Sequence, residues 1–141
     1  MKDLIDEKVL EQLQQNAKMP TGTIAKRTGV PATTVHNRIK RMEREGVIKT
    51  YVPVLDYVKL GKGIAALIFI SAEHKQNQEV LAKRFLALPE VEKAQIITGG
   101  FDLLLEVRVR TIEELNNLIT KEMRKVEGVD KTQTMIVLKD V

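Results

Sequence analysis

The stretch from Pro31 to Gly46, PATTVHNRIKRMEREG, combines cationic and hydrogen-bonding side chains at helical spacing. Because Val35, Ile39 and Met42 recur at i, i+4 and i+7, they predict one buried stripe of an amphipathic helix. The side chains outside this stripe are hydroxyl, amide, imidazole and cationic donors: Thr33, Thr34, His36, Asn37, Arg38, Lys40, Arg41 and Arg44. Such donors read base edges and neutralise phosphates, so the stretch predicts an interface for double-stranded DNA. An ordinary helix with a solvated basic face is the alternative.

The two kinds of donor have different expected roles. We expect the cationic side chains to contact phosphates: Arg38, Lys40, Arg41 and Arg44. The polar side chains nearer the start of the helix are best placed to contact bases: Thr33, Thr34, His36 and Asn37. Arg38 also lies beside the apolar stripe, which leaves open the alternative that it only braces the fold.

Two shorter predicted helices precede the basic helix. The first runs from Asp3 to about Asn16, with acids in its first turn, and the second begins within residues 21–23 and ends at Gly29. This is the element order of a helix-turn-helix unit. Residues 47–56, VIKTYVPVLD, predict a strand or wing, interrupted by Pro53. The charge agrees, since residues 1–52 hold 10 Lys/Arg against 6 Asp/Glu, whereas residues 53–141 hold 13 of each.

The second half of the chain predicts a small α+β unit. Its expected elements are a strand over Ile64 to Ala72, a helix over Asn77 to Leu88, strands over Val91 to Thr98 and Phe101 to Val109, a helix from Thr111 to Gly128 and a strand over Val129 to Leu138. The order βαββαβ is ferredoxin-like. We therefore predict a winged helix-turn-helix domain over residues 1–50, a strand-bearing linker over residues 51–63 and a ferredoxin-like domain over residues 64–141.

A glycine-containing turn in the second half is a candidate ligand site. It comprises Thr98, Gly99, Gly100, Phe101 and Asp102. Paired glycines let backbone amides approach a ligand, and an acid beside them can bind an ammonium group. The alternative, which the residues alone favour, is a plain hairpin turn whose acid is solvated or caps a neighbouring amide.

Composition excludes several other classes of function. The chain has 141 residues and no Cys, so we expect neither disulfides nor thiolate chemistry. The two His residues fall in different predicted domains without ligand-spaced partners, so we predict no metal site, no cofactor and no catalytic residues. The longest apolar run, GIAALIFISA, is too short to span a membrane. We expect a cytoplasmic protein without a membrane partner.

Two ordered sets of motifs resemble the Lrp/AsnC, or feast/famine, family of transcriptional regulators over almost the whole chain. The first set is IDEKVLEQLQQNAK, IAKRTGV and TTVHNRIKRMEREGVIKTYVPVLDYVKLG, and the second is ITGGFDLLLEV and VEGVDKTQTMIVLK. The resemblance implies a winged helix-turn-helix joined by a strand-bearing linker to an effector-sensing domain. It also implies homodimers that pair through their sheets and assemble further, for example into octamers.

The same resemblance implies where a small effector, commonly an amino acid, binds. The site lies between dimers, near the turn from Thr98 to Asp102, with Thr132 and Thr134 nearby. The chain departs from the family pattern at Pro31, where a Ser cap is usual, and in Lys18-Met19-Pro20 before the second helix. Phe101 and Leu103 could accommodate an apolar effector side chain, with a core or interface role as the alternative.

Two other functions are compatible with parts of this pattern. Sirohaem decarboxylases resemble the family in architecture but rely on a His-containing cleft, whereas His74 is the single His of the second half here. A stand-alone amino-acid-binding module would leave residues 1–52 unexplained. The sequence therefore predicts a DNA-binding regulator.

Overall fold

The computed structural model describes residues 3–141 of the chain. They divide into two compact units, one that ends at Val54 and one that begins at Leu55, and the division falls inside the predicted linker. Within the described residues, every helix is too short or too polar to cross a membrane.

Three helices form the first unit: α1 Leu4–Gln15, α2 Thr21–Thr28 and α3 Ala32–Arg44. Asp3 caps α1 by accepting the Asp6 N–H at 3.0 Å. Gly29 ends α2 in the left-handed conformation, with a φ of 73°, which glycine adopts without steric cost. The core consists of Val9, Met19, Ile24, Val30, Val35 and Met42. The predicted three-helix order is confirmed.

The predicted wing segment, residues 47–56, follows α3 as an irregular segment and forms no strand in this structure. The Ile48 N–H donates to the Met42 carbonyl at 3.1 Å, but no residue from 45 to 63 belongs to a strand. Strand-forming side chains are present there, but a ladder needs a neighbouring strand, and the described part of the chain supplies none. The linker is therefore not strand-bearing in the single chain.

The part of the linker that belongs to the second unit, from Leu55 onward, is held there by a contact of the Tyr57 ring. The Arg108 guanidinium lies 4.3 Å from the centroid of the Tyr57 ring, a cation–π distance. The Lys62 N–H donates to the Tyr57 carbonyl at 2.8 Å, which closes the turn around it. Hydrogen bonding to Glu92 raises the pKa of the Tyr57 hydroxyl.

The second unit is a four-stranded antiparallel sheet with helices, in the order βαββαβ. Its elements are β1 Ile64–Ala72, α4 Gln78–Leu86, β2 Val91–Ile96, β3 Leu103–Val109, α5 Ile112–Asn117 and β4 Val129–Ile136. The strands lie in the order β2-β3-β1-β4. After α5 the chain continues as one π-helical turn and one 3₁₀ turn. The predicted ferredoxin-like fold is confirmed, with strand ends that differ by up to two residues.

Side-chain alternation gives the sheet one buried and one open face. The buried face and the helices share a core that includes Ile68, Ile70, Leu105, Leu81, Phe85 and Leu118. The apolar residues of the other face, here called the open sheet face, are Leu67, Phe69, Phe101, Leu104 and Met135. Phe69 and Phe101 are in ring contact there, with centroids 5.6 Å apart.

Candidate nucleic-acid interface and effector turn

Helix α3 is amphipathic in the way the residue spacing predicts. Val35 and Met42 are fully buried, and Ile39 is half-buried against the same core. Of the predicted DNA-binding residues, five are exposed: Thr33, His36, Asn37, Lys40 and Arg44. The other three are half-buried: Thr34, Arg38 and Arg41.

The start of α3 has no side-chain cap. Pro31 occupies the N-cap position rather than the first turn, and its carbonyl accepts the Val35 N–H at 3.0 Å. A proline side chain cannot accept a hydrogen bond, so the first amides of the helix are left to solvent or to an anion such as a phosphate. The departure from the family pattern at this position therefore removes a cap without breaking the helix.

Two arginines of α3 are bound to acids of α1. Arg38 Nη1 donates to Asp3 and also lies 3.3 Å from Asp6 Oδ1, and Arg41 Nη2 donates to Asp6. Asp6 is only 3% exposed, so both arginines compensate a buried charge. These contacts fit the bracing alternative for Arg38 and extend it to Arg41, which sequence reasoning had assigned to phosphates alone.

The same contacts shift the pKa values of the half-buried pair Asp3 and Arg38. The capping hydrogen bond from the Asp6 N–H and the Arg38 guanidinium hold the pKa of the Asp3 carboxyl below its ordinary value. Asp3 in turn raises the pKa of Arg38. Sequence reasoning missed this cluster because the first-turn acids of α1 already had an explanation in the helix dipole.

The remaining two cations of α3 differ in their surroundings. Lys40 Nζ lies 3.3 Å from Glu43 Oε2, and the Tyr51 hydroxyl donates to Glu43 Oε1 at 3.0 Å. The hydrogen bond from Tyr51, followed by that from Lys40, lowers the pKa of Glu43. Tyr51 thereby fastens the segment after α3 to the helix. Within residues 3–141, Arg44 forms no ion pair.

The turn from residue 98 to residue 102 is held by Asp102. Its carboxylate accepts the Ala72 N–H at 2.7 Å and the Gln78 amide at 2.9 Å. Its N–H donates to the Ile70 carbonyl at 2.8 Å. This is the amide-capping role of the hairpin alternative, so the Asp102 carboxylate already has two donors. Gln78 is a member of this cluster that sequence reasoning missed, because it precedes Asp102 by 24 residues.

The other predicted effector residues lie around this turn. Thr98, Gly99 and Gly100 are exposed, and Phe101 is half-buried. Gly99 has a φ of 117°, and nothing within 4 Å faces its missing side chain or that of Gly100. Thr132 and Thr134 pair with Ile70 and Ile68 across β1 and β4. Strand β1 therefore lies between β4, which carries both threonines, and β3, which begins beside Asp102. Because paired residues share a face, Thr132 and Thr134 lie on the helix-covered face of the sheet, whereas Phe101 lies on the other face against Phe69.

Metal-binding clusters are absent from residues 3–141, where no three His, Asp or Glu side chains converge. His36 is exposed on α3 and His74 is exposed in the loop after β1.

The geometry defines a helix-turn-helix unit joined to a ferredoxin-like α+β unit. Residues 2–49 match the winged helix-turn-helix DNA-binding family, and residues 65–141 match the Lrp/AsnC ligand binding domain. The chain is 39% identical over 137 residues to the HTH-type transcriptional regulator FL11 of Pyrococcus furiosus, covering 97% of this chain and 89% of the relative. It belongs to the Lrp/AsnC family of transcriptional regulators.

Solved structures agree with this assignment. AsnC of E. coli matches with a TM-score of 0.87 and 26% identity, over 99% of this chain and 94% of that one. A transcriptional regulator of Neisseria meningitidis in complex with L-methionine matches with a TM-score of 0.92 and 23% identity, over 100% and 92% of the two chains. The latter likeness supports the fold.

Asp3 makes the stability of the first unit dependent on pH. The pKa of Asp3 is lower in the folded than in the unfolded chain. Its contribution to the free energy of unfolding is therefore complete above the unfolded pKa, and it is lost as the pH falls through the lower, folded pKa. We expect the thermal midpoint of the parent to fall on acidification below about pH 4, and Asp3→Asn to weaken this dependence. Asparagine is itself a good N-cap.

Circular dichroism melting between pH 3 and pH 7 checks this. Glu11→Gln is the matched control, because Glu11 is an exposed acid of the same helix. Equal pH profiles for Asp3→Asn and the parent would contradict the assignment.

Proposed function

We propose that this DNA-binding transcriptional regulator reads DNA through the exposed side of α3. The observation that carries the proposal is the chemistry of that side, where five predicted DNA-binding residues are exposed while Val35 and Met42 are buried. Lys40 and Arg44 neutralise phosphates, and Thr33, His36 and Asn37 contact base edges. Two such helices, one from each chain of a dimer, enter successive major grooves.

Removing single charges from this side should weaken binding without changing sequence preference. We expect Lys40→Gln and Arg44→Gln each to reduce affinity for all DNA sequences. Each should also reduce the slope of log K against log salt by about 0.9 for every phosphate that the variant no longer neutralises.

Asn37→Ala should instead cost about 1–3 kcal/mol on the cognate site and relax the preference at one base pair.

Fluorescence anisotropy with a selected operator and a scrambled duplex, at several salt concentrations, measures both quantities. Lys83→Gln removes the same charge from the exposed surface of α4 and serves as the control. Variants that bind like the parent at every salt concentration would disprove the assignment.

We further propose that the turn from Thr98 to Asp102 binds a small-molecule effector, and that this effector is an amino acid. The L-methionine complex of the Neisseria relative supports this ligand class, and the turn offers suitable chemistry. The exposed backbone at Gly99 and Gly100 can approach the ligand closely, the exposed Thr98 beside them supplies a hydroxyl group, and Phe101 supplies an apolar surface. Asp102 holds the turn in place through Ala72 and Gln78, rather than binding the ligand with a free carboxylate.

Calorimetric titration with the twenty amino acids tests this second proposal. We expect the parent to bind one or more apolar amino acids, and Asp102→Ala to lose that binding because the turn loses both of its anchors. Glu113→Ala, an exposed acid of α5, should bind like the parent. If the parent binds none of the twenty, the effector is not an amino acid.

The open sheet face supports a third proposal, that two chains pair through their sheets and that such dimers assemble further, for example into an octamer. Four of its five apolar residues are only half-buried, and Met135 is 47% exposed. Apolar clusters of this kind mark interaction surfaces on globular proteins. Pairing would cover the Phe69–Phe101 ring contact and would bring two copies of α3 to one DNA site.

A charge in the middle of this face should separate the chains. We expect Phe69→Lys to lower the molecular mass in sedimentation equilibrium to that of smaller species, and to weaken DNA binding because the two half-sites are no longer linked. Leu86→Lys, at a 47% exposed position of α4, is the control. A Phe69→Lys protein that keeps the parental mass would refute pairing through this face.

A further inference from the structure

The four cations of α3 fall into two pairs with different freedom to reach a phosphate. The Lys40 side chain is 62% exposed, whereas the Arg38 and Arg41 side chains are 23% and 33% exposed. Arg38 and Arg41 donate to the carboxylates of Asp3 and Asp6. The Nε of Arg41 is buried as well. Two of the charges that a helical projection assigns to DNA are therefore already engaged inside the unit.

Moving Arg38 or Arg41 away from Asp6 would cost free energy. The Asp6 side chain is only 4% exposed. If an arginine moved from Asp6 to a phosphate, water could not reach the Asp6 carboxylate to replace the lost hydrogen bond. Phosphate and carboxylate oxygens bind guanidinium in the same geometry. The exchange therefore brings no new bonding to offset the cost at Asp6.

We propose that Asp3 and Asp6 are internal counterions of the recognition helix, which withhold Arg38 and Arg41 from DNA phosphates. The inference rests on the proposed function of α3. Phosphate contacts add affinity for every sequence alike. Because the two acids reduce the number of phosphate contacts, a larger share of the binding free energy comes from base contacts. Asp3 and Asp6 are thus specificity-determining residues that never touch DNA.

The salt dependence of binding distinguishes withheld charges from contacting ones. We expect Arg38→Gln and Arg41→Gln to leave the slope of log K against log salt unchanged. Arg44→Gln, with the same charge change, should lower it by about 0.9. The double variant Asp6→Asn with Arg41→Gln removes the buried charge together with its partner, so it provides the same measurement should Arg41→Gln alone fail to fold.

Release of a withheld charge gives the complementary test. Asp3→Asn keeps the helix cap and removes the Asp3 charge from Arg38, which leaves Arg38 with the 3.3 Å contact to Asp6 alone. We therefore expect a steeper slope and tighter binding to a scrambled duplex. One added phosphate contact makes the affinity decrease between 50 and 200 mM salt about 3-fold larger. Adding Arg38→Gln to Asp3→Asn should abolish this gain. Glu11→Gln, the same charge change on the exposed side of α1, controls for net charge.

The outcomes separate this inference from the proposed DNA face. If all four cation variants lower the slope equally, or if Asp3→Asn and Glu11→Gln behave alike, the counterion role is refuted while the DNA face stands. If Arg44→Gln and Lys40→Gln leave the slope unchanged, the DNA face is wrong, and the Asp3→Asn gain with its reversal by Arg38→Gln still decides whether Arg38 was withheld.

Discussion

The buried carboxylate of Asp6 is the interaction on which the first unit depends. A charge that is 3% exposed needs compensating charge, and the structure supplies it from Arg38 and Arg41, 32 and 35 residues away. Since both arginines lie on α3, the requirement also fixes the rotation of that helix about its axis. Burial of Val35 and Met42 selects the side of α3 that faces the core. The contacts of Arg38 and Arg41 with Asp6 then fix the rotation of the helix more closely. Lys40 and Arg44 point outward as a consequence.

The second unit uses a carboxylate for a comparable purpose. Asp102 joins the start of β3 to the end of β1 through the Ala72 N–H and to α4 through Gln78. In both units an acid holds in place an element to which we assign a binding role, α3 in the first unit and the turn from residue 98 to residue 102 in the second. Asp102 is half-buried and has only neutral donors, so its contacts order the turn more weakly than those of Asp6 order α3.

Local pattern was enough to predict most of this architecture. Helical spacing located α3, the caps at Asp3 and Thr111 began their helices as expected, and Gly29 ended α2. Spacing within one helix could not show that Arg38 and Arg41 are engaged, because their partners lie in another helix. Gln78 escaped notice for the same reason. The roles of Thr33, His36 and Asn37 at bases and of the turn at an effector remain predictions, because those contacts involve molecules outside the chain.

The strand that failed to form over residues 47–56 follows from the same limit. Strand propensity describes a side chain that fits a pleated surface, and it needs a second strand to be realised. Residues 49–55 make no backbone hydrogen bond within the described chain, and Val52 and Val54 are 74% and 101% exposed. The open sheet face is likewise apolar without a cover. Residues 47–56 and the open sheet face each need a partner surface, and the single chain does not provide one. Pairing of two chains, as proposed for the sheet, would provide it. The sequence pattern that is wrong for the single chain would then be right for the assembly.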